Sequence, residues 1–206
     1  MLEKPFQEIV DSLAAKTPTP GGGAAAALAA AMGVALFLMV VRFSRGKKAN
    51  LDKDQELAEA EARLATLLQR SRPMAARDCA SFDLVSSTYA LPKETPEQQS
   101  LRARAVEEAM VGAMVVPEET IYLVRDVFEA LIKVHGCIGK AIVSDMGSGA
   151  ELLRAAAECA ILNVRINAAF LSDRDRAQAA LTRTHAVRQE VLKHYETVRG
   201  AVEKLL

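Results

Sequence analysis

The stretch TPTPGGGAAAALAAAMGVALFLMVVRFSRGKK, Thr17 to Lys48, constrains the fold more than any other part of the chain. Its two prolines and three glycines break any regular helix entering from the N-terminal side. From Gly21 to Val41 no residue is charged, a run of about 21 residues that is long enough to span a bilayer. Arg42, Arg45, Lys47 and Lys48 follow it as a basic flank. Alanine and glycine fill the first half, however, so the run is weak for insertion, and no second span follows. Several amphipathic segments elsewhere need a core to pack on. The tract therefore reads as a central helix, from about Gly22 to Ser44, surrounded by others.

The glycines do not make a phosphate loop. That motif needs a strand, then GxxxxGK[ST], then a helix. No strand pattern precedes Gly21, and Gly46-Lys47-Lys48 lacks both the upstream glycine and the Ser/Thr. Three glycines at a helix start do have a physical use. They let a ligand or another backbone approach closely, and they expose free N–H donors. Ala24 to Ala27 leave room beside them for a flat ring or a second helix.

The rest of the chain is organised around this helix. Phe6, Ile9, Val10 and Leu13 lie at helical spacing, so residues about 3–15 form an amphipathic helix. A helix restarts near Asp52 and reaches toward Ala90, with a kink expected at Pro73. LPKETPEQQ, residues 91–99, is a surface loop with Pro96 placed to start a helix. Leu101–Val116 and Glu118–Val134 read as helices separated or bent at Pro117. A loop with Gly136 and Gly139 precedes Ser144, an expected N-cap for a helix to about Phe170. Ser172 or Asp173 caps a last helix to Leu206. No alternating run is long enough for a sheet. The expected fold is all-α, a single domain of long antiparallel helices over residues 1–206.

Composition excludes several functions. Lys+Arg and Asp+Glu both number 26, and aromatics are 4% with no tryptophan. A chain without net charge and with few stacking platforms is not built for nucleic acid. Cys79, Cys137 and Cys159 form no CxxC pair, and His185 and His194 are too far apart for a metal-binding turn, so no metal is expected. Unpaired cysteines suit a reducing cytoplasm, and no secretory signal opens the chain.

Motifs in a fixed order then point to a family. PTPGGG with its alanine-rich helix is followed by GKK, DCASFDLV, YALPKET, Ser144-Asp145 and LNVRIN. This series, covering essentially the whole chain, resembles the cyclodeaminase/cyclohydrolase family of folate enzymes. Two departures stand out. Ala24 occupies the place where the resemblance leads one to expect serine, and CIGKAIVSD lacks an asparagine-rich stretch. The resemblance implies an all-helical homodimer in the cytoplasm that binds a reduced folate as substrate, with no other cofactor, no metal, no nucleic acid and no membrane. It implies hydrolysis of methenyltetrahydrofolate to formyltetrahydrofolate. The alternatives are formiminotetrahydrofolate cyclodeamination with release of ammonia, or a non-catalytic folate-binding or assembly protein on the same scaffold.

The candidate residues divide by chemistry. Asp145 stands at a helix start, where negative charge is stabilised, which suits a base or acceptor more than an acid. Asp78, with Phe82 four residues on and on the same face, could activate water or pair with the pterin. These two are the catalytic candidates. Asn163 and Asn167 share a face at i,i+4, whereas Arg165 is turned about 200° from Asn163 and cannot enter the same small cleft. Pro20, Gly21, Gly22, Gly23, Ser144 and Phe82 are expected at the ring. Lys47, Lys48 and Lys93 suit the anionic glutamate tail, and Arg165 suits an acidic tail or a neighbouring helix.

Overall fold

The computed structural model describes residues 4–206, so residue 3, where the first helix was expected to begin, lies outside the described residues. Seven α-helices account for the fold: α1 Phe6–Ala14, α2 Gly22–Ser44, α3 Asp54–Ser71, α4 Met74–Tyr89, α5 Pro96–Ile132, α6 Val143–Phe170 and α7 Arg174–Leu205. Short 3₁₀ turns link α2 to α3 and α5 to α6, and no strand occurs among the described residues. The fold is all-α, as the helical spacing of apolar residues predicts.

α2 is the centre. Val34, Phe37, Val40 and Val41 are fully buried, and Phe37 meets Phe128 of α5 edge-on at 5.6 Å. This accounts for the apolar tract: α2 is the one described helix long and apolar enough to cross a membrane, and protein covers more than half of that window. α6 runs antiparallel to α2 at close range. A Cβ on Gly33 would lie 2.6 Å from Leu153 Cγ, and one on Gly149 would lie 2.7 Å from Phe37 Cδ1. These two glycines let the pair meet near its middle, which sets Gly22 beside Asn163 at one end.

Three element boundaries differ from the sequence reading. The helix expected from Asp52 to Ala90 is two helices, divided at Pro73. Pro117, by contrast, sits inside an unbroken α5, where it is itself buried. Packing on both sides of α5 offsets the hydrogen bond that proline removes. α6 begins one residue before Ser144, with Ile142 in the cap position and no side-chain cap bond. Two other ends are capped as residue type predicts. Thr95 and Gln98 form a reciprocal capping box at α5, and Asp173 accepts from the Arg176 N–H at α7.

Candidate active site

Where the N-terminus of α2 meets α4, α5 and α6, the chain encloses a cleft of about 370 Å³. α4 supplies Asp78, Phe82, Val85 and Tyr89, spaced i, i+4, i+7 and i+11 so that one helix face forms a wall. α6 supplies Asn163, Ile166, Asn167 and Phe170 from the opposite side. Pro18, Thr19 and the three glycines close the end, and Met110 and Ala113 of α5 form the floor. The cleft has a gradient: polar at Asp78 and Asn163, apolar and aromatic toward Tyr89 and Phe170.

The glycines make the polar end possible. A Cβ on Gly23 would overlap the Asp78 carboxylate, and one on Gly22 would meet Asn163 Nδ2 at 3.3 Å. Side chains of α4 and α6 thus press directly on the first turn of α2, where unpaired N–H groups favour an acceptor. Burial raises the Asp78 pKa, and the Ala24 backbone N–H opposes that rise. The Asp78 carboxyl therefore keeps its proton to higher pH than an aspartate in water. Ala24 itself is fully buried.

The two amides are oriented. Asn163 Nδ2 donates to the Cys159 carbonyl at 2.8 Å, and Asn167 Nδ2 donates to the Ala113 carbonyl at 3.2 Å across helices. Each bond uses an amide N–H₂ and leaves the side-chain oxygen for other partners. Thr19 Oγ1 donates to Asp83 Oδ1 at 3.3 Å and ties the PTPGGG segment to α4.

The structure therefore brings Asp78, Gly21, Gly22, Gly23, Phe82, Asn163 and Asn167 into one cleft. It does not bring the other candidates there. Pro20 faces a smaller hollow beside Cys79 and Asp83. Arg165 faces the opposite side of α6, in a groove of about 640 Å³ against α7. That groove is larger than the cleft, but its ion pair Arg188–Glu158 is already closed at 2.8 Å. Lys93 lies on the exposed loop that follows Tyr89.

Lys47, Lys48, Ser144 and Asp145 gather at the far end of the α2–α6 pair. The Lys47 ammonium lies 3.9 Å from where a Cβ on Gly139 would stand, at the turn leading into α6. At 1.5 Å per residue, Asp145 is about 27 Å along α6 from Asn163. None of these four residues lines the cleft. The liners missed in the sequence include Pro18, Thr19, Val85, Tyr89, Met110, Ala113, Ile166 and Phe170. For α4 the signal was present, because Asp78, Phe82, Val85 and Tyr89 follow helical spacing.

The cleft of this all-helical bundle thus joins one half-buried carboxylate, two hydrogen-bonded amides and a glycine-lined helix terminus, with no lysine or arginine in its lining. The family model described as Formiminotransferase-cyclodeaminase matches residues 5–186, and the chain belongs to that family. It is 34% identical over 201 residues to a methenyltetrahydrofolate cyclohydrolase of Methylorubrum extorquens, covering 96% of this chain and 97% of that protein. It is 28% identical to the formimidoyltransferase-cyclodeaminase of Sus scrofa, over 84% of this chain but 32% of that longer protein. Among solved structures, a formiminotetrahydrofolate cyclodeaminase from Thermotoga maritima superposes with a TM-score of 0.84 at 26% identity, over 99% of this chain and 98% of that one.

Proposed function

We propose that this chain hydrolyses methenyltetrahydrofolate to formyltetrahydrofolate. The observation that carries this reading is the Asp78 carboxylate, half-buried against the first turn of α2 in a cleft lined by no lysine or arginine. The bridging carbon of the substrate belongs to a cationic amidinium, and an anionic, otherwise uncharged cleft attracts it. Asp78 takes a proton from water as the oxygen adds to that carbon, giving a tetrahedral centre between the two folate nitrogens. One carbon–nitrogen bond then breaks as Asp78 returns the proton to the departing nitrogen, and the hydroxyl on the carbon loses its own proton to solvent, leaving a formyl group on the other nitrogen. One carboxyl thus serves as base and then as acid. The similarity to a cyclohydrolase over nearly the full length of both chains supports this choice.

The cyclodeaminase reaction passes through the same kind of centre, and the likeness to the Thermotoga maritima enzyme favours it as the second reading. Following the near-ultraviolet absorbance of methenyltetrahydrofolate, beside ammonia release from the formimino substrate, separates the two. Absorbance loss above the spontaneous rate supports hydrolysis, and ammonia release alone supports the cyclodeaminase. Binding of folate without either turnover leaves a binding protein.

The working form in this reading is a cytoplasmic homodimer. Ile166 and Phe170 at the cleft rim are more than half exposed, as is Leu162 beside them, an apolar ridge suited to a second subunit. Lys47, Lys48, Ser144 and Asp145 then act on a folate held by the other chain, whose cleft the partner's end of α2 and α6 approaches.

A further inference from the structure

The cleft wall ends at Tyr89, and a cation stands behind it. The Arg102 guanidinium lies over the Tyr89 ring, 5.4 Å from its centroid, and Nη2 donates to the Tyr89 carbonyl at 3.2 Å. No carboxylate lies within ion-pair range of Arg102 among the described residues, whereas Arg42, Arg45, Arg77, Arg176 and Arg188 each have one. Its Nε is buried and has no hydrogen-bond partner there. A buried, unpaired donor on a fixed charge is costly, and in native proteins such a group calls for a partner. Stacking on tyrosine and bonding to a carbonyl hold the guanidinium plane in place without neutralising it.

The position of Arg102 matters as much as its charge. Asp78 and Tyr89 are eleven residues apart on one face of α4, about 16 Å along the helix. Between them lie Phe82, Val85, Met110 and Ile166, an apolar and aromatic passage. The cleft therefore runs from one carboxylate, through an apolar middle, to Tyr89, and the Arg102 guanidinium stacks on that ring just outside the lining. Resting on the folate reading above, the substrate has the matching order: a cationic amidinium ring, a benzoyl ring, and a terminal amino acid bearing carboxylates. Lys47 and Lys48 do not meet this need within the chain, since the far end of α2 is about 33 Å from Gly22.

We infer that Arg102, held on Tyr89, binds the carboxylate arm of the substrate and so fixes which way the folate lies in the groove. The ring carrying the reactive carbon then sits at Asp78 and Asn163, and the benzoyl ring passes along Phe82. Arg102 contacts the arm and not the reacting atoms, so it is a specificity residue for tailed over tail-less ligands.

The test compares tetrahydrofolate with tetrahydropteroate, which lacks the glutamate, as non-reacting ligands of the purified full chain, together with KM and kcat for their methenyl forms. The wild type is expected to prefer the tailed ligand by about tenfold or more, the scale of a charge-assisted contact. Arg102→Ala should lose most of that preference through a raised KM, with kcat within about twofold of wild type. Arg102→Lys, which keeps a charge and most of the stem, should retain part of it and serves where the alanine variant does not fold. A wild type indifferent to the tail, or an alanine variant as selective as wild type, overturns the inference. Because tail preference is read on ligands that do not react, absence of methenyl turnover would sink the proposed reaction while leaving the Arg102 result decisive.

Discussion

Gly23 and Asp78 occupy each other's space: a Cβ built on the glycine would fall 2.6 Å from the aspartate Cγ. The carboxyl stands where a side chain of α2 would otherwise be, which joins the glycine run to the chemistry. Gly23→Ala should therefore displace Asp78 and leave the helix intact. Its turnover is expected to fall by about tenfold or more, because small misplacements of a reacting group are expensive. Its stability should stay within about 1 kcal/mol of wild type, since the aspartate can rotate away and alanine favours a helix. Gly33→Ala is the control. There the new Cβ meets Leu153 Cγ at 2.6 Å and the Gly149 carbonyl at 3.1 Å, so stability should drop by about 1–3 kcal/mol. Thermal melts alongside steady-state rates check both.

Asp78→Asn should separate activity from stability. Loss of the proton-transfer group lowers turnover by at least about 100-fold. Burial raises the Asp78 pKa, so the folded chain holds this proton more tightly than the unfolded chain does. The stability this brings is fully present below the unfolded value, and it is lost as pH rises through the folded pKa. The asparagine variant does not suffer that loss. It should match wild type in acid and exceed it near neutral pH, by less than about 1 kcal/mol because the cleft is partly open to solvent. Denaturant midpoints measured across pH would expose the opposite trend if Asp78 were stabilised as an anion.

The rate profile carries the same sign. Asp78 must be ionised to accept a proton from water, so kcat/KM should fall on the acid side. The midpoint should lie above about 3.9, the ordinary aspartate value, because burial moves this group upward. Asp78 is the one carboxylate among the cleft liners, so an acid limb is assigned to it. An acid limb absent down to the ordinary aspartate range would remove Asp78 from the base role.

Much of this architecture was legible in the residues, and what was not has physical reasons. The uncharged run of α2, the helix start at Pro96, the cap at Asp173, and the shared face of Asn163 and Asn167 are local properties, and local sequence reveals them. Pro117 misled because burial on several sides overrides a proline's preference, and neighbours distant in sequence supply that burial. The site was half legible. Glycines 21 to 23 and Asp78 are carried by motifs, but their overlap depends on how α4 crosses α2. Arg102 had no sequence signal, since an unpaired arginine is recognised only when its surroundings are known. The separation of Asp78 from Asp145 was hidden for the same reason: spacing along a helix does not say which end meets which neighbour.

That separation leads to the last prediction. Asp145 and Asp78 both belong to motifs of the family, yet they lie at opposite ends of the antiparallel α2–α6 pair. If both serve one folate, the partner subunit must supply one of them, and a twofold axis provides that arrangement, because end A of one chain then meets end B of the other. Asp78→Asn and Asp145→Asn should each be inactive alone. Unfolded together and refolded as a mixture, half of the dimers carry one chain of each kind. In such a dimer one site holds both substitutions and the other holds neither. Activity should recover to about a quarter of wild type, counting mixed dimers with one working site each. Sedimentation of the mixture confirms that dimers form. An active Asp145→Asn homodimer, or a refolded mixture with no more activity than its parents, would place Asp145 outside the site and return the chemistry to the cleft of a single chain.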